Sequence, residues 1–175
     1  LTEILPILGS EKTQFYRNKL EFTFSEKSYL TREEIEAAGD SEIVHKPALG
    51  FHAPGMFDKV VDINKCFLQD EPTNIIKNNL RALAFENNWE FYDFKEQRGW
   101  LRNMIIRVST TGEILVNLVV KEERPELFII LDKILEWAPN VTSLNYTIND
   151  KLNDSIYDLD VVCYAGMPYI HENLG

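Results

Sequence analysis

The chain has 175 residues, and 45% of them are hydrophobic, which suits one domain or two small ones. Aromatic and apolar residues are spread along the sequence, which excludes intrinsic disorder, and no apolar run is long enough for a membrane span or a signal peptide. The net charge of −10 argues against generic nucleic-acid binding, DNA included, because such domains are usually basic.

The first predicted element is a strand over residues 16–24, where polar and apolar residues alternate with the period of a half-buried strand. A short acidic helix is predicted over residues 31–39. Thr31 is its N-cap, and Glu34, three residues later, completes a capping box. A loop follows to Pro47. The acidic residues of this stretch are Glu33, Glu34, Glu36, Asp40 and Glu42, and a second acidic group contains Asp150, Asp154, Asp158 and Asp160.

A hairpin is predicted next, with strands over residues 49–52 and 59–63 and with Pro54 and Gly55 between them. The helix predicted over residues 70–88 has Asp70 as its cap and Pro72 in its first turn. Its apolar stripe contains Ile76, Leu80, Leu83 and Ala84.

A second hairpin is predicted from strands over residues 100–108 and 113–120, joined by a turn over residues 109–112. A helix over residues 126–137 follows and ends before Pro139. Further strands are predicted over residues 141–148 and, as one or two strands divided near Gly166, over residues 159–170. The fold class is therefore α+β, with antiparallel hairpins and two main helices packed on one face of the sheet. The pattern suggests two similar halves, residues 1–95 and 96–175.

No catalytic motif is visible in the sequence. It contains no glycine-rich phosphate loop, no nucleophile elbow and no zinc-ligand cluster. His45 and His52 share a region with Cys66, but a Cys–His nucleophile pair is disfavoured because no third group orients the histidine. Two cysteines far apart in sequence favour a reducing cytoplasm over a disulfide scaffold. From their residue type alone, Cys66 and Cys163 are interpreted as buried core residues.

Three segments resemble the bacterial 23S ribosomal RNA (uracil-5-)-methyltransferases. They are residues 15–22 (FYRNKLEF), residues 49–66 with their GFH and FDKVVD runs and terminal Cys66, and residues 99–113 with GWLRN, Ile106-Arg107 and Gly112-Glu113. The end of the chain, Pro168-Tyr169-Ile170 and Glu172, resembles the approach to the catalytic domain of that family.

The resemblance implies an enzyme that uses S-adenosylmethionine to methylate carbon 5 of a uridine in 23S ribosomal RNA. The chain starts at Leu1 and stops at Gly175, so we expect a fragment: the central, RNA-positioning domain over residues 1–175. The N-terminal domain and the catalytic domain that binds S-adenosylmethionine are expected outside it. We therefore assign no catalytic or cofactor-binding residue here, and we expect the fragment alone to be inactive.

The resemblance also implies a [4Fe–4S] cluster in many family members. Its fourth thiolate ligand stands at the end of a Val-Asp-x-x-x-Cys run, which corresponds here to Val61–Cys66. Clusters are usually held by four thiolates, so the fragment alone is expected to contain no metal. Cys66 is thus predicted to be one iron–sulfur ligand in the full protein, with a buried core cysteine as the alternative.

RNA binding is predicted at the strand that begins at Tyr16. Arg17 and Lys19 project from one face, roughly 7 Å apart over two strand steps, which suits adjacent phosphates of single-stranded RNA. His52 and Lys59, in the next hairpin, are predicted to extend this patch. A solvated polar face of an antiparallel sheet explains the same residues equally well. Arg102 and Arg107 face opposite sides of their strand, so at least one is expected to be a structural ion-pair partner.

Two other classes of function remain as alternatives. The acidic surface suits a non-catalytic module that docks a protein partner. A self-contained enzyme is disfavoured because no catalytic constellation is present. The sequence sets neither the oligomeric state nor the uridine that is modified.

Overall fold

A computed structural model describes residues 4–39, 41 and 43–174. It has an α+β fold, and every predicted helix and strand is present with adjusted ends. The elements are β1 (Lys19–Ser25), α1 (Arg32–Ala38), β2 (Ala48–His52), β3 (Val60–Asp62), α2 (Thr73–Glu86), β4 (Leu101–Val108), β5 (Ile114–Val120), α3 (Pro125–Trp137), β6 (Ser143–Ile148) and β7 (Val162–Gly166).

The seven strands form one sheet in the order β3-β2-β1-β4-β5-β6-β7, so strands from both halves of the sequence share it. All neighbours pair antiparallel except β5 and β6, which are parallel. The expectation of antiparallel pairing throughout was therefore wrong at this one place. The reason is the connection: α3 lies between β5 and β6, and a helical crossover returns the chain parallel to the strand it left.

One face of the sheet is apolar and contributes to a single hydrophobic core. The stripes of both long helices belong to this core, including Ile76 and Leu80 of α2 and Ile130 and Ile134 of α3. Alternate strand residues complete it because side chains two apart in a strand share a face. These strand residues include Leu20, Phe22, Met104, Ile106, Val116, Leu118, Leu144 and Tyr146. We call this side the helix face.

The opposite face carries buried polar side chains. Asn103 donates to Thr23 Oγ1, Asn117 exchanges hydrogen bonds with Thr147, and Asn145 donates to Ser143 Oγ. Buried polar groups are costly unless they are hydrogen-bonded, so these pairs make a covered polar layer possible. We call this side the polar face.

The predicted starts of β1 and α2 were wrong by three residues, and β7 is shorter than the predicted strand over residues 159–170. Strand β1 begins at Lys19 instead of Tyr16, because the preceding segment bonds to another loop: the backbone N–H groups of Phe15 and Arg17 donate to the carbonyls of Phe67 and Leu68. Helix α2 begins at Thr73, and Asp70 does not cap it. The Asp70 carboxylate accepts instead from the N–H of the adjacent Glu71.

Helix α1 is confirmed with its capping box. Thr31 Oγ1 accepts from the Glu34 N–H, and the Glu34 carboxylate accepts from the Thr31 N–H. The bond from the Thr31 backbone N–H to the Glu34 carboxylate is the largest cause that lowers the pKa of Glu34 below its ordinary value. No residue of α1 is buried. Asp40 and Glu42 of the acidic stretch lie outside the described residues.

Candidate nucleic-acid interface

Arg17 and Lys19 line the same open cleft, whose volume is about 600 Å³. Its walls come from the segment before β1, from Thr110 in the β4–β5 turn, and from Glu172 to Leu174. Arg17 is exposed and lies outside any strand, so the expectation that both cations project from one strand was wrong for Arg17. Their predicted proximity is nevertheless present, since both side chains border one cleft.

The segment after β7 is fastened beside this cleft. The Glu113 carboxylate accepts from the N–H of His171 and lies 3.1 Å from His171 Nδ1. These contacts hold the pKa of Glu113 below its ordinary value. The Glu172 carboxylate accepts from the hydroxyl and from the backbone N–H of Thr110, and these bonds lower the pKa of Glu172 as well. Residues 171–174 are therefore held next to Arg17 and Lys19.

Arg107 is a third exposed cation and lies beside Lys19, but the sequence analysis did not assign it to the RNA-binding patch. Its backbone is the direct cross-strand partner of Lys19 in the β1–β4 pairing, and its side chain is exposed. Directly opposed residues of neighbouring strands project to the same face. Cross-strand register depends on tertiary pairing, so the sequence alone could not place Arg107 beside Lys19.

His52 and Lys59 lie apart from Arg17 and Lys19. The His52 ring packs edge-on against Phe94, with ring centres 5.2 Å apart. Lys59 borders a separate cavity of about 210 Å³, whose other walls include Tyr29, Ile35 and Met56. The structure therefore brings neither residue into the cleft that Arg17 and Lys19 share.

Arg102 has the structural role expected of at least one of the two β4 arginines. Its side chain is 1% exposed and forms an ion pair of 2.8 Å with Asp154. Its guanidinium also donates to the carbonyls of Asn149, Lys151 and Asn153, and it lies 4.2 Å from the centre of the Tyr92 ring. Arg102 thereby fixes the loop between β6 and β7 at the end of the sheet.

Cys66 is buried in the hydrophobic core and is a free thiol. Asn74 of α2 holds its backbone with two hydrogen bonds, one to the Cys66 N–H and one to its carbonyl. Within residues 4–39, 41 and 43–174, no group of three or more His, Cys, Asp or Glu side chains could hold a metal ion. This chain alone therefore does not supply the donor set that an iron–sulfur cluster needs.

Cys163 was predicted to be a core residue, and this was wrong: it is exposed in β7, the edge strand of the sheet. At an edge strand, one side of the backbone and much of the outer side chains stay open, which sequence alternation does not show. The described residues also show no Cys–His pair. His45 Nδ1 bonds to the Ser28 carbonyl, and His52 packs on Phe94.

The described residues thus form an α+β domain with an open cleft bordered by Arg17 and Lys19. Comparisons with known proteins give its class. The chain is 48% identical, over 99% of its length, to a protein of Bacteroides thetaiotaomicron named an uncharacterized RNA methyltransferase. It is 42% identical, over 98% of its length, to a protein of the same name from Porphyromonas gingivalis.

The chain spans 39% of the first of these relatives and 38% of the second. No protein-family model matches it. A solved structure with the same fold is the Pyrococcus abyssi tRNA (uracil-54, C5)-methyltransferase in complex with S-adenosyl-L-homocysteine. The TM-score is 0.63 at 22% identity, covering 96% of this chain and 35% of that one. The resemblance to RNA methyltransferases is thus confirmed: along nearly all its length, this chain is similar to part of such proteins.

Proposed function

We propose that this chain is the central, RNA-positioning segment of an S-adenosylmethionine-dependent enzyme that methylates carbon 5 of a uridine. The relatives' shared name supports RNA methylation. The structural neighbour acts on carbon 5 of a uracil and was solved with S-adenosyl-L-homocysteine, which supports both the reaction and the methyl donor. The segment lies between an N-terminal domain and the catalytic domain.

We assign the substrate to 23S ribosomal RNA on the strength of the three sequence segments, residues 15–22, 49–66 and 99–113. The rival substrate is transfer RNA, because the structural neighbour modifies tRNA. Both substrates present a uridine that must leave its stack before a base-modifying enzyme can reach it. The role of this segment is the same in either case: it holds the strand that flanks the target.

The observation that carries the proposal is the cleft of Arg17 and Lys19 beside residues 172–174. Exposed cations at an open cleft bind phosphates, while the described residues offer no nucleophile–base pair. The segment therefore holds RNA, and the rest of the enzyme supplies the methyl donor site and the reacting cysteine. His52 and Lys59 form a second contact to the flanking strand, away from the first.

The enzymatic proposal is tested with the full-length protein, labelled S-adenosylmethionine and RNA from cells that lack the enzyme. We expect label at carbon 5 of a uridine in 23S RNA, and none from this chain alone. Label in the tRNA fraction only would refute the ribosomal assignment and leave the reaction type intact. Methylation at another atom, or of another base, would refute the proposal itself.

Cys66 is proposed as one thiolate ligand of a [4Fe–4S] cluster whose other ligands lie outside this chain. If a cluster is bound there, Cys66 would hold it through one thiolate, and the loop before α2 would be tied to ligands outside this chain. In the full-length enzyme, Cys66→Ser should lower the iron content, while Cys163→Ser, the matched control at the exposed thiol, should not. Unchanged iron after Cys66→Ser would make Cys66 a core residue only.

A second candidate function has one observation in its favour. Helix α1 exposes Glu33, Glu34 and Glu36 and buries none of its residues, as a docking surface for a basic protein would. Salt dependence separates the two, because phosphate contacts make RNA binding fall steeply with salt concentration. A basic partner that binds equally well after ribonuclease treatment would favour the docking module.

A further inference from the structure

A groove crosses the polar face between the sheet and the loop that precedes β7. Its volume is about 440 Å³. Lys19 and Glu21 of β1, Ile105 and Arg107 of β4, and Asn117 of β5 form its floor, and residues 154–161 form its roof. Lys19 also borders the cleft shared with Arg17, so the groove and the cleft meet at this residue.

The charges of the groove are arranged in rows across the strands. Lys19 and Arg107 are direct cross-strand partners and form one row. Glu21, Ile105 and Asn117 form the next row, two residues further along each strand, or roughly 7 Å away at the usual strand rise. The cations thus stand at one end of the groove, and the interior beyond them holds a carboxylate, an amide and an apolar side chain.

Two cations directly opposed on neighbouring strands destabilise a sheet. Glu21 offsets this repulsion weakly, because its carboxylate lies 3.7 Å from Lys19 and both side chains are partly exposed. An anion bound between Lys19 and Arg107 removes the repulsion. The unfavourable pair therefore marks a place where an anionic ligand is expected.

The roof of the groove is a fixed structure. Arg102 holds its beginning through the carbonyls of Asn149 and Asn153 and through the Asp154 carboxylate. Lys151, just before the roof, pairs with Asp158, so the carboxylates of Asp154 and Asp158 are each matched by a cation, and Asp160 is the roof carboxylate without an ion pair among the described residues. The repulsion of a polyanion by the two paired carboxylates is correspondingly small.

Tyr157 stands in this roof with its side chain 95% exposed, although it borders the groove. A large aromatic ring held on a fixed loop beside a cationic row is the arrangement with which proteins stack unpaired bases. Glu21, which is exposed, supplies a carboxylate that can accept from the edge of such a base.

We propose that this groove binds one unpaired nucleotide of the substrate RNA. Its phosphate lies between Lys19 and Arg107, and its base enters beneath the roof and stacks on Tyr157. The base, not the phosphate, must occupy the interior, because the Glu21 carboxylate repels phosphate there. This inference rests on the proposed RNA-binding function and adds a nucleotide subsite next to the cleft of Arg17.

The test uses the full-length protein and a fluorescent single-stranded oligoribonucleotide of mixed sequence, titrated at several salt concentrations. Arg107→Gln should weaken binding and lower the magnitude of the salt slope by roughly 0.7, the value for one lost phosphate contact. Tyr157→Ala should weaken binding about tenfold with the salt slope unchanged, because stacking releases no counterions. Tyr157→Phe should restore binding, since the ring is retained.

Lys133→Gln and Phe85→Ala are the matched controls, a cation and an exposed aromatic residue on the helices α3 and α2, and both should bind like the unsubstituted protein. An oligonucleotide with abasic sites should lose its sensitivity to Tyr157→Ala. If the protein binds RNA and methylates it but neither Arg107→Gln nor Tyr157→Ala changes affinity, the subsite is refuted and the proposed function stands. If the unsubstituted protein binds no RNA, both are refuted.

Discussion

The same strands carry apolar side chains on one face of the sheet and buried polar side chains on the other. On the helix face, Phe22 and Met104 join an apolar core with α2 and α3. On the polar face, their sequence neighbours Thr23 and Asn103 bond to each other beneath a loop. The helix face stabilises the fold by burying apolar area, whereas the polar face costs stability at each buried polar group that is imperfectly bonded.

The two faces also treat a buried cation differently. Lys77 of α2, on the helix side, is fully buried and donates to a single carbonyl, that of Ile63. Burial is the largest cause that lowers its pKa, to about 8. Arg102, on the other side, has three carbonyls and a carboxylate as acceptors. The Lys77 ammonium thus has one protein acceptor, whereas Arg102 is bonded through both terminal nitrogens and has only its Nε without a partner among the described residues.

The largest effect is expected on the helix face. Phe22→Ala should lower the free energy of unfolding by about 3–5 kcal/mol, because it removes a fully buried ring and leaves a cavity. Urea unfolding of the full-length protein measures this. Glu21→Ala, the neighbouring residue on the exposed side of the same strand, should change it by less than about 0.5 kcal/mol. Equal losses would mean that the two faces are not distinct.

Arg102→Met should lower the free energy of unfolding by about 2–4 kcal/mol, since several charge-assisted hydrogen bonds are lost together. It should also release the loop over residues 149–154, seen as faster amide hydrogen exchange there and not in α3. Arg107→Met, the exposed arginine of the same strand, is the control and should leave exchange unchanged. Protection of the loop after Arg102→Met would contradict its assigned role.

Lys77 gives a pH dependence with a definite sign. Its folded-state pKa of about 8 lies below the ordinary value of 10.5, so between these values the unfolded chain binds the extra proton. The contribution of Lys77 to the free energy of unfolding therefore rises as pH rises from about 8 to 10.5. Lys77→Met should remove this rise, while Lys133→Met, an exposed lysine of α3, should keep it. A steeper rise in the Lys77 variant would reverse the assignment.

The sequence predicted the fold because its patterns are local. The alternation through Leu20 and Phe22, the capping box of Thr31 and Glu34, and the stripe of α3 each mark an element without knowledge of its neighbours. The parallel β5–β6 pair and the start of β1 were missed, because the first depends on a crossover and the second on hydrogen bonds with a loop about fifty residues away.

The candidate site was predicted only in part for the same reason. Arg17 and Lys19 are close in sequence, and the structure keeps them at one cleft. Arg107 lies beside Lys19 because the two residues are cross-strand partners. Tyr157 borders the groove because Arg102 holds the loop that carries it. Neither contact can be predicted from the spacing of residues along the sequence. We grouped His52 and Lys59 with Arg17 and Lys19 because their hairpin follows in the sequence. In the folded protein, His52 packs on Phe94 and Lys59 borders a separate cavity.

We propose that Arg17 and Lys19 hold the phosphates of the RNA at the cleft that they share. The most direct measurement is the salt dependence of RNA affinity for the full-length Arg17→Ala/Lys19→Ala protein. Its control is Arg124→Ala/Lys133→Ala, which removes the same charge from residues at helix α3. We expect weaker binding across RNA sequences, a salt slope smaller by roughly 0.7 per lost contact, and unchanged affinity for S-adenosylmethionine. The control should match the unsubstituted protein. If the RNA affinity and the salt slope of the Arg17→Ala/Lys19→Ala protein are unchanged, the cleft is only solvated surface and does not hold RNA.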